Sequence, residues 1–241
     1  LNLALGLGQA ARELGVQIFE DSRVNDYRTQ GEKVRVKTDS GLVEAKFLVI
    51  GCNGYLGRLD KEAEKYQMPI NNFLLATEPL GEDRARQINR DNLAIVDTRF
   101  VVNYWHNSPD HRLIFGGGEN YSSRFPRDIK QFVRKYMLEA YPNLEDAKVE
   151  YGWGGTLAIT MRRMPHFGRK AHNIYWAQGY SGHGIHMATM GGKMAADAIM
   201  GQAERFDLFA SMKHFPFPGG RWLRWPGLMV GMLYYSMLDH L

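Results

Sequence analysis

The sequence predicts a mixed α/β protein, a helix-bearing unit with a β-meander interrupted by an antiparallel sheet, and three observations carry that expectation. Asn173–Ile199 reads as an apolar strand, a glycine-rich turn and a small-residue helix. Lys33–Ile50 reads as an alternating meander that ends in the apolar run Phe47-Leu48-Val49-Ile50. Between them, short strand-like runs separated by charged or Gly/Pro-rich turns surround one long amphipathic segment. That texture fits an antiparallel sheet backed by a helix.

In chain order, Leu3, Leu7, Ala10 or Ala11 and Leu14 space one helical face, with Gly15 as its stop. Gly6-Leu7-Gly8-Gln9-Ala10-Ala11 mimics a dinucleotide fingerprint, with Glu20 as its acid. The spacing to the acid is short and no strand precedes the glycines, so the helix reading is preferred. Val16–Phe19 alternates as a strand, and Lys33–Thr38 as a half-exposed one. Asp39-Ser40-Gly41 supplies turn chemistry, and Leu42–Ile50 returns to stop at Gly51-Cys52-Asn53-Gly54. Strands are expected at Asn72–Glu78, Leu93–Asp97, Val101–Trp105, Arg112–Phe115 and Val149–Trp153, with a helix over Asp128–Tyr141. Ile174–Ala177 is a buried strand, and the helix beyond Gly184 places Ile185, Ala188, Gly192, Ala195 or Ala196 and Ile199 near one face. Gly191-Gly192 within that helix costs about 1 kcal/mol per glycine relative to alanine and suggests close packing. The tail, Arg221–Pro226 followed by apolar Leu228–Leu238, is too short for a transmembrane span. It reads as a packing or subunit-contact helix in preference to an interfacial membrane segment.

Composition narrows the function classes. Of 241 residues, 44% are hydrophobic and 23% charged, as in ordinary globular proteins. Thirty Lys and Arg against 26 Asp and Glu give +4, without the clustered basic block of a nucleic-acid surface. The single cysteine, Cys52, excludes an internal disulfide and a cysteine metal cage, and fits a cytoplasmic location. The chain opens Leu1-Asn2-Leu3 with neither a methionine nor a signal peptide, and is expected to be a C-terminal piece of a longer protein.

Several constellations bear chemistry. Gly179-Tyr180-Ser181-Gly182-His183-Gly184 places three glycines between strand and helix, which aims free backbone N–H groups at an electron-rich ligand. The same residues nearly match the nucleophile elbow G-x-S-x-G, which leaves an α/β hydrolase using Ser181 as an alternative. A non-catalytic packing or partner-binding module is a third reading. His183 and His186 share a helix face but lack a third ligand, so no metal is expected. Tyr104, Trp105, Tyr121, Phe125 and Trp153 either wall a pocket or fill a core. Gly116-Gly117-Gly118-Glu119 marks either a ligand approach or a β-bulge.

Gly-Tyr-Ser-Gly-His-Gly-Ile before a small-residue helix resembles the C-terminal flavin-contacting motif of the D-amino-acid-oxidase-like FAD-dependent oxidoreductases. Trp153-Gly154-Gly155-Thr156, Arg163–Gly168 and Pro216–Gly220 are most similar to the gamma-glutamylputrescine oxidoreductase branch. The resemblance implies a partial Rossmann-like FAD domain, in two parts over residues 1–66 and 170–202. A substrate domain is inserted at 67–169, and a C-terminal tail covers 203–241. It implies FAD contacts at Val24, Cys52, Asn53 and Gly54 and at Gly179, Tyr180, Ser181, Gly182, His183, Gly184 and Ile185. It further implies a substrate pocket that includes Tyr104, Trp105, Glu119, Trp153 and His166, and it leaves catalytic residues unassigned. Some relatives hold flavin through a cysteine, but Thr156–Arg163 contains none, so FAD is expected to be non-covalent. The site is expected to be incomplete, because no opening strand leads into a G-x-G-x-x-G turn here. Small-molecule amines, gamma-glutamylated putrescine among them, are the expected substrates, with no nucleic-acid partner. Amino-acid-oxidising relatives carry an arginine for the substrate carboxylate where this chain, anchored on Pro165 and Gly168, has Leu157.

Overall fold

The structure is a computed structural model. It describes all residues except 100–101, 121–123, 221–222, 224–225, 228 and 232–241, and only the backbone of 119 and 120. Most of the apolar tail therefore lies outside the described residues.

The first helix, α1 (Asn2–Glu13), ends as expected before Gly15, whose φ of 86° is the left-handed stop. None of its residues is buried. The fingerprint-like glycines Gly6 and Gly8 lie inside this helix, with nothing near their absent Cβ positions. Val16–Phe19 is not a strand, contrary to its alternation. Val16 N–H bonds back to Ala11 O at the helix end, and Val16, Ile18 and Phe19 stay exposed. Alternation makes a strand only where a neighbouring edge accepts the ladder. The next strand, β1 (Val24–Gln30), is masked in the sequence by Asn, Asp, Arg and Gln, because its outer face meets solvent. β2 (Lys33–Thr38) and β3 (Leu42–Ala45) complete an antiparallel meander that buries Val34 and Val36. The run expected to continue from Leu42 breaks after Ala45. β4 (Leu48–Ile50) leaves the meander for a different sheet.

After a 3₁₀ turn at Asn53–Tyr55, Asp60 caps α2 (Lys61–Glu64) by accepting the Ala63 N–H at 2.7 Å. The Tyr27 hydroxyl also donates to Asp60, which ties the meander to this corner. The chain then builds a five-stranded antiparallel sheet with order β6-β7-β8-β5-β9. Its members are β5 (Met68–Thr77), β6 (Ile95–Val96), β7 (Tyr104–Asn107), β8 (Leu113–Asn120) and β9 (Val149–Ile159). Helix α3 (Glu82–Ile88) and the helix α4 (Ile129–Ala140) interrupt them. The α4 stripe Ile129, Phe132, Val133, Tyr136 and Met137 meets one sheet face. Phe73, Leu75, Leu113, Phe115, Val133 and Met137 are fully buried there. Two expected strands shift: Leu93–Asp97 shrinks to β6, and Val101–Trp105 slides to Tyr104–Asn107, with Val101 outside the described residues.

The last sheet is β10-β11-β4, formed by β10 (His166–Lys170) antiparallel to β11 (Ile174–Gln178), which runs parallel to β4. One face of it, with Phe167, Tyr175 and Ala177, packs on α5 (Gly184–Ile199) and α6 (Glu204–Ala210). The other, with Trp176, Ile174 and Ile50, packs on Leu56 and Ala63. Among the described residues no helix is long and apolar enough to cross a membrane.

Candidate functional site

Because β4 and β11 are parallel, with Trp176 opposite Ile50, both strands deliver their carboxyl ends to the same rim. Open α/β sheets place ligands at such a rim. β4 ends in Gly51-Cys52-Asn53 and β11 in Gly179-Tyr180-Ser181-Gly182, and the two turns are joined directly. Asn53 Oδ1 accepts the Gly179 N–H at 3.0 Å. Asn53 holds φ at 46°, a left-handed angle that asparagine tolerates better than most side chains. Gly179 and Gly182 sit at φ 71° and 96°, where the absence of Cβ removes the steric penalty.

The rim is also bound to the five-stranded sheet. Ser181 N–H donates to Ala158 O at 2.9 Å, and the Ser181 hydroxyl accepts Thr160 N–H at 3.2 Å. Tyr55 hydroxyl accepts Thr156 N–H at 3.0 Å, and Thr156 Oγ1 donates to Asn71 Oδ1 at 2.8 Å. Gly54 packs so tightly on β9 that a Cβ would lie 2.4 Å from Thr156 O. Tyr55 and Gln67, which donates to Asn53 O, escaped the sequence reading. Their roles are backbone contacts that leave no spacing signature.

Helix α5 begins in this rim. His183 caps it without a side-chain bond, and its first intrahelical contact is Met187 N–H to His183 O at 3.3 Å. Among the described residues no hydrogen-bond partner meets the amides of Gly184, Ile185 and His186. A helix start of this kind carries roughly half a positive charge together with free donors. No neighbour lies within 4 Å of the Gly182 Cβ position, and Ile185 is 74% exposed, so the donors open outward. The residues present therefore fit a flat, electron-rich group.

The other candidates divide. Register places Asn72, Leu74, Tyr104, Gly116, Trp153, Gly155 and Leu157 on the sheet face opposite α4. Tyr104 hydroxyl donates to Asn72 Oδ1 there. Glu119 stands opposite Asn72 in register, with its side chain outside the described residues. Trp105 does not join them. It stacks on Phe115 at 5.4 Å and its indole donates to Tyr141, so it is core on the α4 side. Phe125 packs edge-on to Phe73 on that same side, and Tyr121 lies outside the described residues. His166 is likewise elsewhere, between Tyr66 and His214 beside β10, where burial above all, and then His214 and Lys65, push its pKa down to about 3. The Gly116–Gly118 stretch takes the bulge reading. The β5–β8 register shifts there, and the Tyr104 and Tyr136 rings cover Gly116 and Gly118. Val24 opens β1 at the meander edge, and Cys52 packs against the Ile50 and Trp176 cluster, where burial pushes its thiol pKa up. No group of three potential metal ligands occurs among the described residues.

Residues 1–198 match the family described as DAO, FAD dependent oxidoreductase. The chain belongs to that family. Gamma-glutamylputrescine oxidoreductase of Escherichia coli K12 is 40% identical over all of this chain, which spans 57% of that protein. A probable oxidoreductase, OrdL, of Haemophilus influenzae is 36% identical over 99% of this chain and 56% of its own length. Glycine oxidase from Geobacillus kaustophilus has the same fold, with a TM-score of 0.70 at 20% identity over 88% of this chain and 58% of that one. The chain thus spans a little over half the length of the relatives it matches. FAD is the cofactor of this DAO family, and the rim formed by Asn53, Gly179, Gly182 and the α5 amides has the character that such a group requires. The hydrolase alternative falls with this assignment. The Ser181 hydroxyl also donates to Gly179 O at 3.3 Å, so its described bonds go to backbone and not to a histidine.

Proposed function

We propose that this chain supplies the flavin-facing rim and substrate sheet of an oxidoreductase that dehydrogenates an amine C–N bond. Gamma-glutamylputrescine or a closely related amine is the substrate in this reading. Bound FAD supplies the two-electron acceptor, and the imine formed is hydrolysed by water. The rest of the chemistry belongs to the protein. Free amides at Gly184–His186 and the helix charge behind them favour negative charge on the bound ring, which makes reduction easier. Gly182 and Gly184 let the ring approach backbone. Tyr55, Asn53 and Gly54 hold the rim in register with β9, so that the substrate face meets the rim at a fixed distance. The cofactor contacts in this proposal are Val24, Cys52, Asn53, Gly54 and Gly179–Ile185, held without a covalent bond, and the substrate face is the one shared by Tyr104 and Trp153.

The observation that carries the substrate class is Leu157. It faces Ile70 in register and packs with the apolar set Met68, Ile70 and Ile159. An apolar side chain makes no charge-assisted pair with a carboxylate, and an unpaired carboxylate buried there would cost several kcal/mol. Arg162 is not a substitute at this position. Its guanidinium donates to Lys213 O at 3.0 Å and lies over the Phe215 ring. The substrate therefore lacks an α-carboxylate next to its reacting amine. Steady-state kinetics on the full-length flavoprotein test this, with gamma-glutamylputrescine and simple amines set against glycine, sarcosine and D-alanine. A higher kcat/KM for the amines is expected, and the reverse order would overturn the assignment.

A further inference from the structure

The segment Pro216-Phe217-Pro218-Gly219-Gly220 takes no part in the flavin rim, yet the chain holds it firmly. Phe217 N–H donates to Lys65 O at 3.1 Å, just beyond α2, and Gly220 N–H donates to Phe217 O at 3.1 Å. Upstream, the Arg162 guanidinium donates to Lys213 O at 3.0 Å. Prolines on both sides of Phe217 restrict the backbone further, since proline fixes its own φ and holds the preceding residue extended.

The two aromatic residues of this stretch part company. Phe215 stays outside, 48% exposed, with Arg162 and Lys213 over its ring. Phe217 turns inward and packs against Met68, Ile70 and Ile159, the same buried set that Leu157 packs against. Met68 faces Ile159 and Ile70 faces Leu157 across β5 and β9, so these side chains share the sheet face opposite α4, the face of Asn72, Tyr104 and Trp153. The three lower side chains are at most 9% exposed, while Phe217 and Leu157 are only partly buried and form the outer layer.

This apolar layer lies where the rim crosses the sheet. The Cβ position of Gly54 is 3.0 Å from Leu157 C, and Ser181 N–H donates to Ala158 O. One residue pair further along the same face the layer stops. Among the described residues only the Tyr55 hydroxyl, at 3.8 Å, comes within 4 Å of the Gly155 Cβ position. A wall beside the rim with a gap next to it suits an unbranched chain. The reacting carbon rests against the wall, and the rest of the molecule leaves over Gly155 towards Asn72 and Tyr104. A methyl branch on the reacting carbon would press into the wall, and overpacking of this kind is destabilising.

We infer that Phe217 is a specificity-determining residue, which with Leu157 forms an apolar wall that admits an unbranched primary amine and rejects one branched at the reacting carbon. The inference rests on the reading of the rim as flavin-facing and of the substrate as an amine.

Steady-state kinetics of the full-length holoenzyme test it with gamma-glutamylputrescine and its analogue methylated on the carbon that bears the free amine. The quantity read is the ratio of the two kcat/KM values, and the parent is expected to favour the unbranched compound. Phe217→Ala opens the wall and should lower that ratio about tenfold, the lower end of what one methylene is worth in an apolar pocket. Phe217→Leu should lie between the two, and Phe215→Ala, on the outer side of the same stretch, should keep the parental ratio. Flavin content reports whether each variant remains assembled. If Phe217→Ala loses flavin, Phe217→Trp decides the matter, because a larger ring narrows the site and should raise the ratio. An unchanged ratio in a flavin-loaded Phe217 variant would overturn the assignment, and so would an equal shift in Phe215→Ala, since a merely structural phenylalanine affects both compounds alike. Turnover of neither compound, with free amino acids oxidised instead, would defeat the amine reading itself and the wall with it.

Discussion

The five-stranded sheet and residues 2–19 are both rich in apolar residues but bury them very differently. Under α4 the sheet interior is complete: Phe73, Leu75, Leu113 and Phe115 have no exposed surface. In α1 and the segment after it, Leu3, Leu5, Leu7, Ile18 and Phe19 remain at 43% exposure or more. An amphipathic pattern is thus a statement about a face that can be covered, while burial depends on what stands opposite. The sheet with α4 is self-sufficient, and α1 makes no buried contact among the described residues.

The largest expected effect breaks that comparison most directly. Phe115→Ala, in the closed core between Trp105 and Val133, is expected to cost about 3–5 kcal/mol. Leu5→Ala is expected to stay within about 0.5 kcal/mol. Urea unfolding of both variants of this chain measures the difference. Similar losses for the two would mean that α1 is packed in solution and that the contrast is false.

A smaller effect belongs to the junction of the two sheets. Gly54→Ala pushes a methyl against Thr156 O, and a clash with backbone is relieved only by moving β9 or the Asn53–Tyr55 turn. The expected cost is about 1–3 kcal/mol, together with loss of the Tyr55 to Thr156 bond. In the full-length protein, weaker flavin retention should accompany it. Unchanged stability and flavin content would show that the rim and the substrate sheet are not mechanically joined at Gly54.

The sequence was legible where one chain segment carries its own evidence. Lys33–Thr38 appears residue for residue as β2, because Val34 and Val36 alternate with charges on a half-buried ladder. The strand–turn–helix at Ile174–Ile199 is equally plain, since glycines at positive φ punctuate it. What escaped depends on partners distant in sequence. β1 has polar residues because its outer face meets solvent, and nothing local says that Tyr27 reaches Asp60. Trp105 and Tyr104 are adjacent and equally aromatic, yet the pleat sends them to opposite faces. His166 looked like a substrate residue because it lies near the family motif. Its place in β10 turns it toward Tyr66 and His214 instead.

That burial of His166 predicts a pH effect. Its pKa in the folded chain, about 3, is below the ordinary 6.5, chiefly through burial and then through His214 and Lys65. Below pH 6.5 the unfolded chain therefore takes up a proton that the folded chain refuses. Stability from this group is complete above 6.5 and is lost as pH falls toward 3, with a slope approaching about 1.4 kcal/mol per pH unit. Between pH 6 and pH 5 the parent chain should lose roughly 1 kcal/mol more than His166→Phe. Parallel losses in urea titrations at the two pH values would show that His166 titrates normally, and the buried side of β10 would then be wetter than the structure describes.

The smallest effect separates two neighbouring glycines within α5. The pair Gly191-Gly192 reads in the sequence as close packing on both residues, but the structure distinguishes them. A Cβ on Gly191 would stand 3.1 Å from Phe167 Cζ and 3.3 Å from Ala177 Cβ, on the face buried against β11. At Gly192 nothing lies within 4 Å, and the residue is exposed on the same side as Ala188 and Ala196. Both are mid-helix, where glycine is destabilising by about 0.8–1 kcal/mol relative to alanine. For Gly192→Ala that gain is unopposed, so the chain should become more stable by up to about 1 kcal/mol. For Gly191→Ala it is offset by the need to move Phe167 and the α6 side of the core, and the net change should be near zero or unfavourable. Thermal unfolding of the two variants side by side is the measurement. Stabilisation by both would show that β11 and α5 have slack between them. Destabilisation by Gly192→Ala would show that the exposed small-residue face of α5 is covered in solution, as the exposed face of α1 would be if Leu5→Ala proved costly.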